Sequence, residues 1–280
     1  MNIVSEPAQV RAAVREWKAN GLRVGFVPTM GYLHEGHGSL IRAACEQNDK
    51  VVVSIFVNPM QFGPGEDLES YPRDMERDSA YVEQLGADLI FHPQPETMYA
   101  EDFCTFVDMT GLTEGLCGKS RPVHFRGVCT IVTKLFHIVQ PDRAYFGQKD
   151  AQQLAVIRRM VRDLDMDIEV VGCPIVREPD GLAKSSRNTY LSGPERQAAL
   201  ILSQTIRFGE QLVADGETDA RELVRKMTEK IETEPLARVD YVEAVDGRML
   251  QPTDRVKAPL LVAMAVYIGK TRLIDNFMIE

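Results

Sequence analysis

A chain of 280 residues, 44% hydrophobic and 26% charged, is long enough to bury one large core or two smaller ones. Its net charge of −9 argues against a broad nucleic-acid footprint, which needs clustered cations, but leaves room for a locally basic pocket. No apolar run approaches the roughly 18–20 residues that span a bilayer. Glu6, Arg11, Arg15 and Glu16 interrupt the first segment where a signal peptide would be continuously apolar. The five cysteines (Cys45, Cys104, Cys117, Cys129 and Cys173) are odd in number and form no Cys-x-x-Cys pair. They are expected to be free thiols in a reducing cytoplasm, with structural burial as their role.

In chain order, residues 7–19 carry helical periodicity, and Gly21 fits the stop beyond them. Residues 23–27, RVGFV, read as a buried strand ending at Pro28. The glycine-rich run PTMGYLHEGHGSL follows, and GSLIRAACEQN reads as a helix. VVVSIFV, residues 51–57, is almost uninterrupted β-branched sequence, as expected of a strand covered on both faces. A helix around 73–85, a strand at 88–91, a helix at 126–139 and a strand at 143–147 continue the alternation. A helix at 150–164 and a strand at 167–172 complete it. Alternating strands and helices predict a parallel sheet with right-handed crossovers, whose ligands gather beyond the carboxyl ends of the strands. The loops after residues 27, 57 and 147 all leave that side.

The pattern changes after about residue 190. Ser192 and Glu195 form a Ser-x-x-Glu capping box ahead of a helix near 194–214. A helix over roughly 218–233 follows, then strands near 238–245, 258–268 and 271–279. The expected architecture is α/β: a Rossmann-like parallel-sheet domain over 1–176 and a smaller α+β domain over 177–280.

Three clusters carry chemistry. His34 and His37 lie in the glycine-rich turn at a strand-to-helix junction. Their His-x-x-His spacing lacks the His-Glu-x-x-His arrangement of a zinc protease, and no cysteine stands beside either. Simple packing or a zinc site remain alternatives. A helix N-terminus that offers N–H groups to a phosphate, flanked by imidazole donors, suits the run better. Neither Gly-x-x-x-x-Gly-Lys-Ser/Thr nor Gly-x-Gly-x-x-Gly occurs after the first strand, so a nucleotide would need a second cradle. EPDGLAKSSRNTYLS, residues 178–192, supplies one: Lys184, Ser185, Ser186 and Arg187 set two cations and two hydroxyls in a row, which suits a triphosphate. YFGQKDAQQ then places Lys149 and Asp150 at another strand-to-helix junction, although Asp150 could serve only as a cap.

PTMGYLHEGH, FVNPMQFGPGED, YFGQKDAQQ and DGLAKSSRN, in this order and across nearly the whole chain, resemble the signatures of the pantothenate synthetase (pantoate–β-alanine ligase) family. The His-x-Gly-His element alone would indicate only the class I nucleotidylyltransferase superfamily. The resemblance implies an ATP-dependent ligase that condenses pantoate with β-alanine to pantothenate, AMP and pyrophosphate through a pantoyl-adenylate. Mg²⁺ accompanies ATP, with metal ligands unassigned. The resemblance also implies a homodimer.

By this resemblance Met30, Gly31, Tyr32, Leu33, His34, Glu35, Gly36 and His37 form the ATP-binding turn, with His37 as proton donor. Gly147, Gln148, Lys149, Asp150, Val176, Lys184, Ser185, Ser186 and Arg187 are the other ATP contacts. Gln61 and Gln153 contact pantoate, Gln61 also marks the β-alanine position, and Asn58 shares its motif. His34, His37 and Lys149 form the candidate catalytic set. Arg121, His124 and Arg126 fall in a loop, GKSRPVHFRGV, that resembles the family's mobile cover. Where the family commonly has Met before Ser-Ser-Arg, this chain has Lys184. The 178–192 loop is expected to close over ATP and shield the adenylate from water. The alternative is a related nucleotidyltransferase with another coenzyme-precursor acceptor. A non-enzymatic nucleotide-sensing or tRNA-binding module fits the acidic charge poorly.

Overall fold

The computed structural model describes residues 1–280, which divide into two compact units. The first comprises Met1–Met109, Arg121–Gln148 and Val156–Pro174; the second comprises Thr110–Ser120, Lys149–Ala155 and Ile175–Glu280.

The first unit is built on six strands: β1 (Asn2–Val4), β2 (Val24–Thr29), β3 (Lys50–Ile55), β4 (Leu89–Phe91), β5 (Arg143–Gly147) and β6 (Glu169–Cys173). All pairings are parallel, in the order β1-β4-β3-β2-β5-β6. β3 pairs on both edges, and Val51 to Ile55 are all buried, which explains its unbroken apolar run. Helices α1 (Pro7–Ala19), α2 (Glu35–Gln47), α3 (Met75–Gln84) and α6 (His124–Val139) belong to this unit, with the short α4 (Pro95–Met98). Val27, Ile41, Val53, Val82 and Ile90, each fully buried, share one core between the sheet, α2 and α3. Such side chains each stabilise the fold by roughly 1.5–3 kcal/mol.

Sequential strands lie to one side of β2 and β5 lies to the other, so the direction of winding reverses between β2 and β5. Such a switch opens a crevice beyond the carboxyl ends of the strands. The turn carrying His34 and His37 leaves β2 there.

The second unit pairs β7 (Ala237–Asp246), β8 (Leu260–Ile268) and β9 (Thr271–Ile279) antiparallel, with β8 central. The expected 194–214 helix is two, α8 (Gly193–Ala198) and α9 (Leu200–Ala214), meeting at Ala199. There ψ is −20°, and Leu202 bonds back only three residues, to the Ala199 carbonyl. The capping box of Ser192 and Glu195 is formed. α10 (Ala220–Glu232) packs Leu223, Met227 and Ile231 into a core shared with Leu202, Ile206, Val262, Met264 and Phe277. Two further helices complete the chain: α5 (Leu116–Ser120) in this unit, and α7 (Ala151–Asp163), whose first five residues belong here and the rest to the first unit.

Three local expectations change. Strand β1 is too short for any periodicity to reveal it. The segment of Arg121, His124 and Arg126 is not all loop, because α6 begins at His124. Structural burial fits Cys129 and Cys173, but Cys104 is exposed; all five are free thiols. No helix is long and apolar enough to cross a membrane.

Candidate functional site

The first unit's site begins where β2 ends. Thr29 Oγ1 donates to the Ser54 carbonyl at 2.7 Å and accepts from the Gly31 N–H at 3.2 Å, tying the turn to β3. Gly31 (φ +84°) and Tyr32 (φ +49°) are both left-handed. A Cβ at Gly31 would sit 3.0 Å from Ile55 Cγ2 and 3.1 Å from Asp78 Oδ2, so this position needs glycine for space as well as for conformation. Asp78, from α3, is 1% exposed and accepts the Tyr32 and Leu33 N–H groups at 2.6 and 2.7 Å. Burial pushes its carboxyl up, against those two bonds and Arg77, which pull it down. Arg77 caps the arrangement by donating to the Leu33 carbonyl at 2.7 Å.

His34 is the N-cap of α2, and its Nδ1 accepts from the Gly36 N–H at 3.1 Å. His37 stands three residues on, where its Nδ1 accepts from the His34 N–H at 3.2 Å. The rings lie 4.1 Å apart, centroid to centroid. Both Nδ1 atoms accept, so each neutral ring carries its proton on Nε2 and is a donor there. The turn thus combines a helix N-terminus with two imidazole N–H donors, an arrangement that suits phosphate oxygens. The Glu35 carboxylate, half exposed, pairs with Arg42 at 2.9 Å.

A second cluster follows β3. Asn58, 1% exposed, caps the 3₁₀ turn Pro59–Gln61. Its Oδ1 accepts from the Met60 N–H at 3.3 Å and the Tyr99 hydroxyl at 2.7 Å. Its Nδ2 donates to the Gly127 carbonyl and to Gln61 Oε1, both at 3.1 Å. Gln61 Nε2 then points at Met30 Sδ, 3.0 Å away, joining this cluster to the histidine turn. Gly127 allows the close approach of α6: a Cβ there would overlap the Met60 carbonyl and lie 2.6 Å from Gln61 Cα. The Gln61 carbonyl accepts from His124 Nδ1 at 3.0 Å and from Arg121 at 3.3 Å. Arg121 grips Glu66 with two bonds, of 2.8 and 2.5 Å. Met30, Asn58 and Gln61 are therefore brought together. Asp78, Tyr99 and Gly127 are structural members of the site that no sequence signal marked.

The second unit holds the basic clusters. Lys149 Nζ lies 4.0 Å from Asp150 Oδ2, and the Lys149 carbonyl accepts from Asn276 at 2.9 Å. Just before Lys149, in the first unit, Gly147 ends β5 and Gln148 opens the 3₁₀ turn Gln148–Asp150. Gln153 is half-buried on α7; its neighbour Gln152 instead spends its amide on the Leu112 and Gly115 carbonyls, at 2.8 and 2.9 Å. The Val176 carbonyl accepts the Lys184 N–H at 2.9 Å, and Lys184 Nζ pairs with Glu178 at 3.3 Å. Ser185 caps the 3₁₀ turn Ser186–Tyr190 by accepting the Arg187 N–H at 3.2 Å. Ser186 is buried. The loop is rooted by Arg177, which makes two bonds to the buried Asp275, at 2.6 and 2.9 Å.

The parallel sheet, with a histidine-bearing turn after β2, places the chain in the Rossmann-like α/β class. A family model described as pantoate-beta-alanine ligase matches residues 2–278. The pantothenate synthetase of Ruminiclostridium cellulolyticum is 64% identical over 99% of this chain and 98% of its own length. That of Enterococcus faecalis is 61% identical over 97% and 96%. The solved pantothenate synthetase of Thermus thermophilus superposes with a TM-score of 0.94 at 48% identity, covering 99% of both chains. The Francisella tularensis pantoate-beta-alanine ligase, solved in complex with beta-gamma ATP and beta-alanine, gives 0.82 at 33% identity over 99% and 97%. The chain belongs to the pantoate–β-alanine ligase family, and it joins pantoate to β-alanine to form pantothenate.

Proposed function

We propose that the condensation is driven by ATP and runs through pantoyl-adenylate, with the His34–His37 turn acting on the α-phosphate. The observation that carries this reading is the pair of Nδ1 caps, which turn both Nε2–H groups into donors at the N-terminus of α2.

A carboxylate does not acylate an amine directly, because oxide would have to leave. A pantoate carboxylate oxygen attacks the α-phosphorus in line, the bond from that phosphorus to the bridging oxygen breaks, and pyrophosphate departs with the electron pair. His37 Nε2–H donates to the α-phosphate oxygens as charge builds there; loss of one such donor typically slows a reaction by about 10²–10³. His34 supports it from the N-cap. Lys149, Ser185, Ser186 and Arg187 supply cations and donors for the leaving pyrophosphate, while Gly147, Gln148 and Val176 offer main-chain groups for ATP. The side chain of Lys184, which pairs with Glu178, adds little free charge to this set.

In the second half-reaction the neutral amine of β-alanine attacks the acyl carbon. AMP leaves, keeping one oxygen that began in pantoate, and the ammonium proton passes to solvent. Gln61 and Gln153 are neutral, so they hold pantoate without quenching its carboxylate. Gln61 Nε2 is paired with a thioether, a weak acceptor, and gains by exchanging it for a substrate oxygen.

Magnesium belongs here as the partner of ATP. No group of three or more His, Cys, Asp or Glu side chains is placed to hold a metal, which fits an ion that travels on phosphates and keeps its waters. Asp150, with a half-exposed carboxylate, is the residue suited to add a ligand. The bound ion neutralises phosphate charge. The five free thiols support a reducing cytoplasm, and the family resemblance supports a homodimer.

Pantoate labelled with ¹⁸O in its carboxylate tests the adenylate route. One labelled oxygen is expected in the AMP; label appearing only in pyrophosphate or in orthophosphate would reject it.

A further inference from the structure

Gln61 presents one end of its amide as a donor only because Asn58 holds the other end, and Asn58 in turn is held from four sides. Of its four bonds, the one from the Tyr99 hydroxyl is the shortest, at 2.7 Å against 3.1, 3.1 and 3.3 Å. An amide's oxygen and nitrogen ends have the same shape, so packing does not choose between its two flips; the partners do. The Gly127 carbonyl can only accept and the Met60 N–H can only donate, which turns Asn58 Oδ1 toward Tyr99. With that flip set, the tyrosine O–H must donate, and Asn58 Nδ2 must face Gln61 Oε1.

Tyr99 is itself built in place. Its ring stands 6.4 Å from Phe56 and packs edge-on to Phe103 at 5.0 Å. The Lys134 ammonium lies 5.5 Å over the same ring and 4.7 Å over Phe103. Burial raises the Tyr99 phenol well above its usual range, so it remains a donor throughout working pH. Together these contacts hold the ring with its hydroxyl toward Asn58.

We propose that Tyr99 is a positioning residue for pantoate: it clamps Asn58, and Asn58 fixes the amide of Gln61 with its N–H end toward the substrate. This rests on the reading of Gln61 as a pantoate contact. The reaction never touches Tyr99, whose influence passes through two side chains.

Steady-state kinetics of Tyr99→Phe, Gln61→Ala and the double variant test it. Tyr99→Phe keeps the ring and removes one hydrogen bond, so KM for pantoate should rise roughly three- to tenfold. KM for ATP should change less than twofold, and the melting temperature should barely move. In the Gln61→Ala background the same substitution should add less than twofold, because the residue it positions is gone. A Tyr99→Phe enzyme with unchanged KM for pantoate, an equal rise in KM for ATP, or effects that multiply in the double variant would each overturn the proposal. If Gln61→Ala alone leaves KM for pantoate unchanged, the reading of Gln61 falls first. A large Gln61→Ala effect with a silent Tyr99→Phe removes only the positioning role.

Discussion

The carboxylate of Asp78 accepts the backbone N–H of Leu33 at 2.7 Å across 45 residues of sequence, and with its other oxygen it takes the neighbouring N–H of Tyr32. A buried acid on α3 thus sets the backbone of the turn that carries both histidines. Asp78→Asn replaces one acceptor with an NH₂ group facing an N–H. That mismatch costs about 1–3 kcal/mol. We expect KM for ATP to rise and kcat to fall, together by ten- to a hundredfold, with KM for pantoate less affected. Unaltered ATP kinetics in this variant would show that the turn holds itself.

Gly127 gives α6 its approach to the Pro59–Gln61 turn. Gly127→Ala should push the helix from Asn58 and Gln61, costing about 1–3 kcal/mol as overpacking does. Urea unfolding together with pantoate kinetics checks it, and both should worsen. A stable variant with normal KM would mean the contact is slack.

Glu66 links the site to acid stability. Burial alone would raise its carboxyl, but the hydrogen bond and charge of Arg121, the Gly63 N–H and His124 hold it below the usual 4.5. A depressed folded value means that the contribution is present above the unfolded value and is lost as pH falls through the folded one. Glu66→Gln should therefore lower the melting temperature at pH 7, and the gap to the parent chain should shrink below about pH 4.5. A gap independent of pH would assign the loss to packing.

In the second unit Asp275 is buried and answers Arg177 with both oxygens. Asp275→Ala strands a half-buried guanidinium and should destabilise by about 3–5 kcal/mol, read by urea denaturation. A loss below about 1 kcal/mol would show that Arg177 finds other acceptors.

The strands were readable where burial left a mark on neighbouring residues. VVVSIFV announced β3 because a parallel strand paired on both edges is apolar on both faces. Asn2–Val4 carried no such mark, since three residues at a sheet edge cannot show a period. The histidine turn was legible from glycines and imidazoles, whereas Asp78 was not. Among Glu76 and Arg77 it reads as another solvated helix charge, and only the distant turn makes it an internal acceptor. Tyr99 was silent for the same reason, its partner lying 41 residues earlier. The diversion of Lys184 had a local clue. The Pro-Asp-Gly turn folds the segment back, Arg177 bridges to Ala183, and Glu178 comes opposite Lys184.

Exchange of labelled pyrophosphate into ATP tests most directly whether activation precedes the amine. With pantoate and magnesium but no β-alanine, exchange should be rapid; it should vanish when pantoate is omitted and fall about 10²–10³-fold in His37→Ala. Exchange that ignores pantoate, exchange that requires β-alanine, or a near-normal rate in His37→Ala would contradict the account.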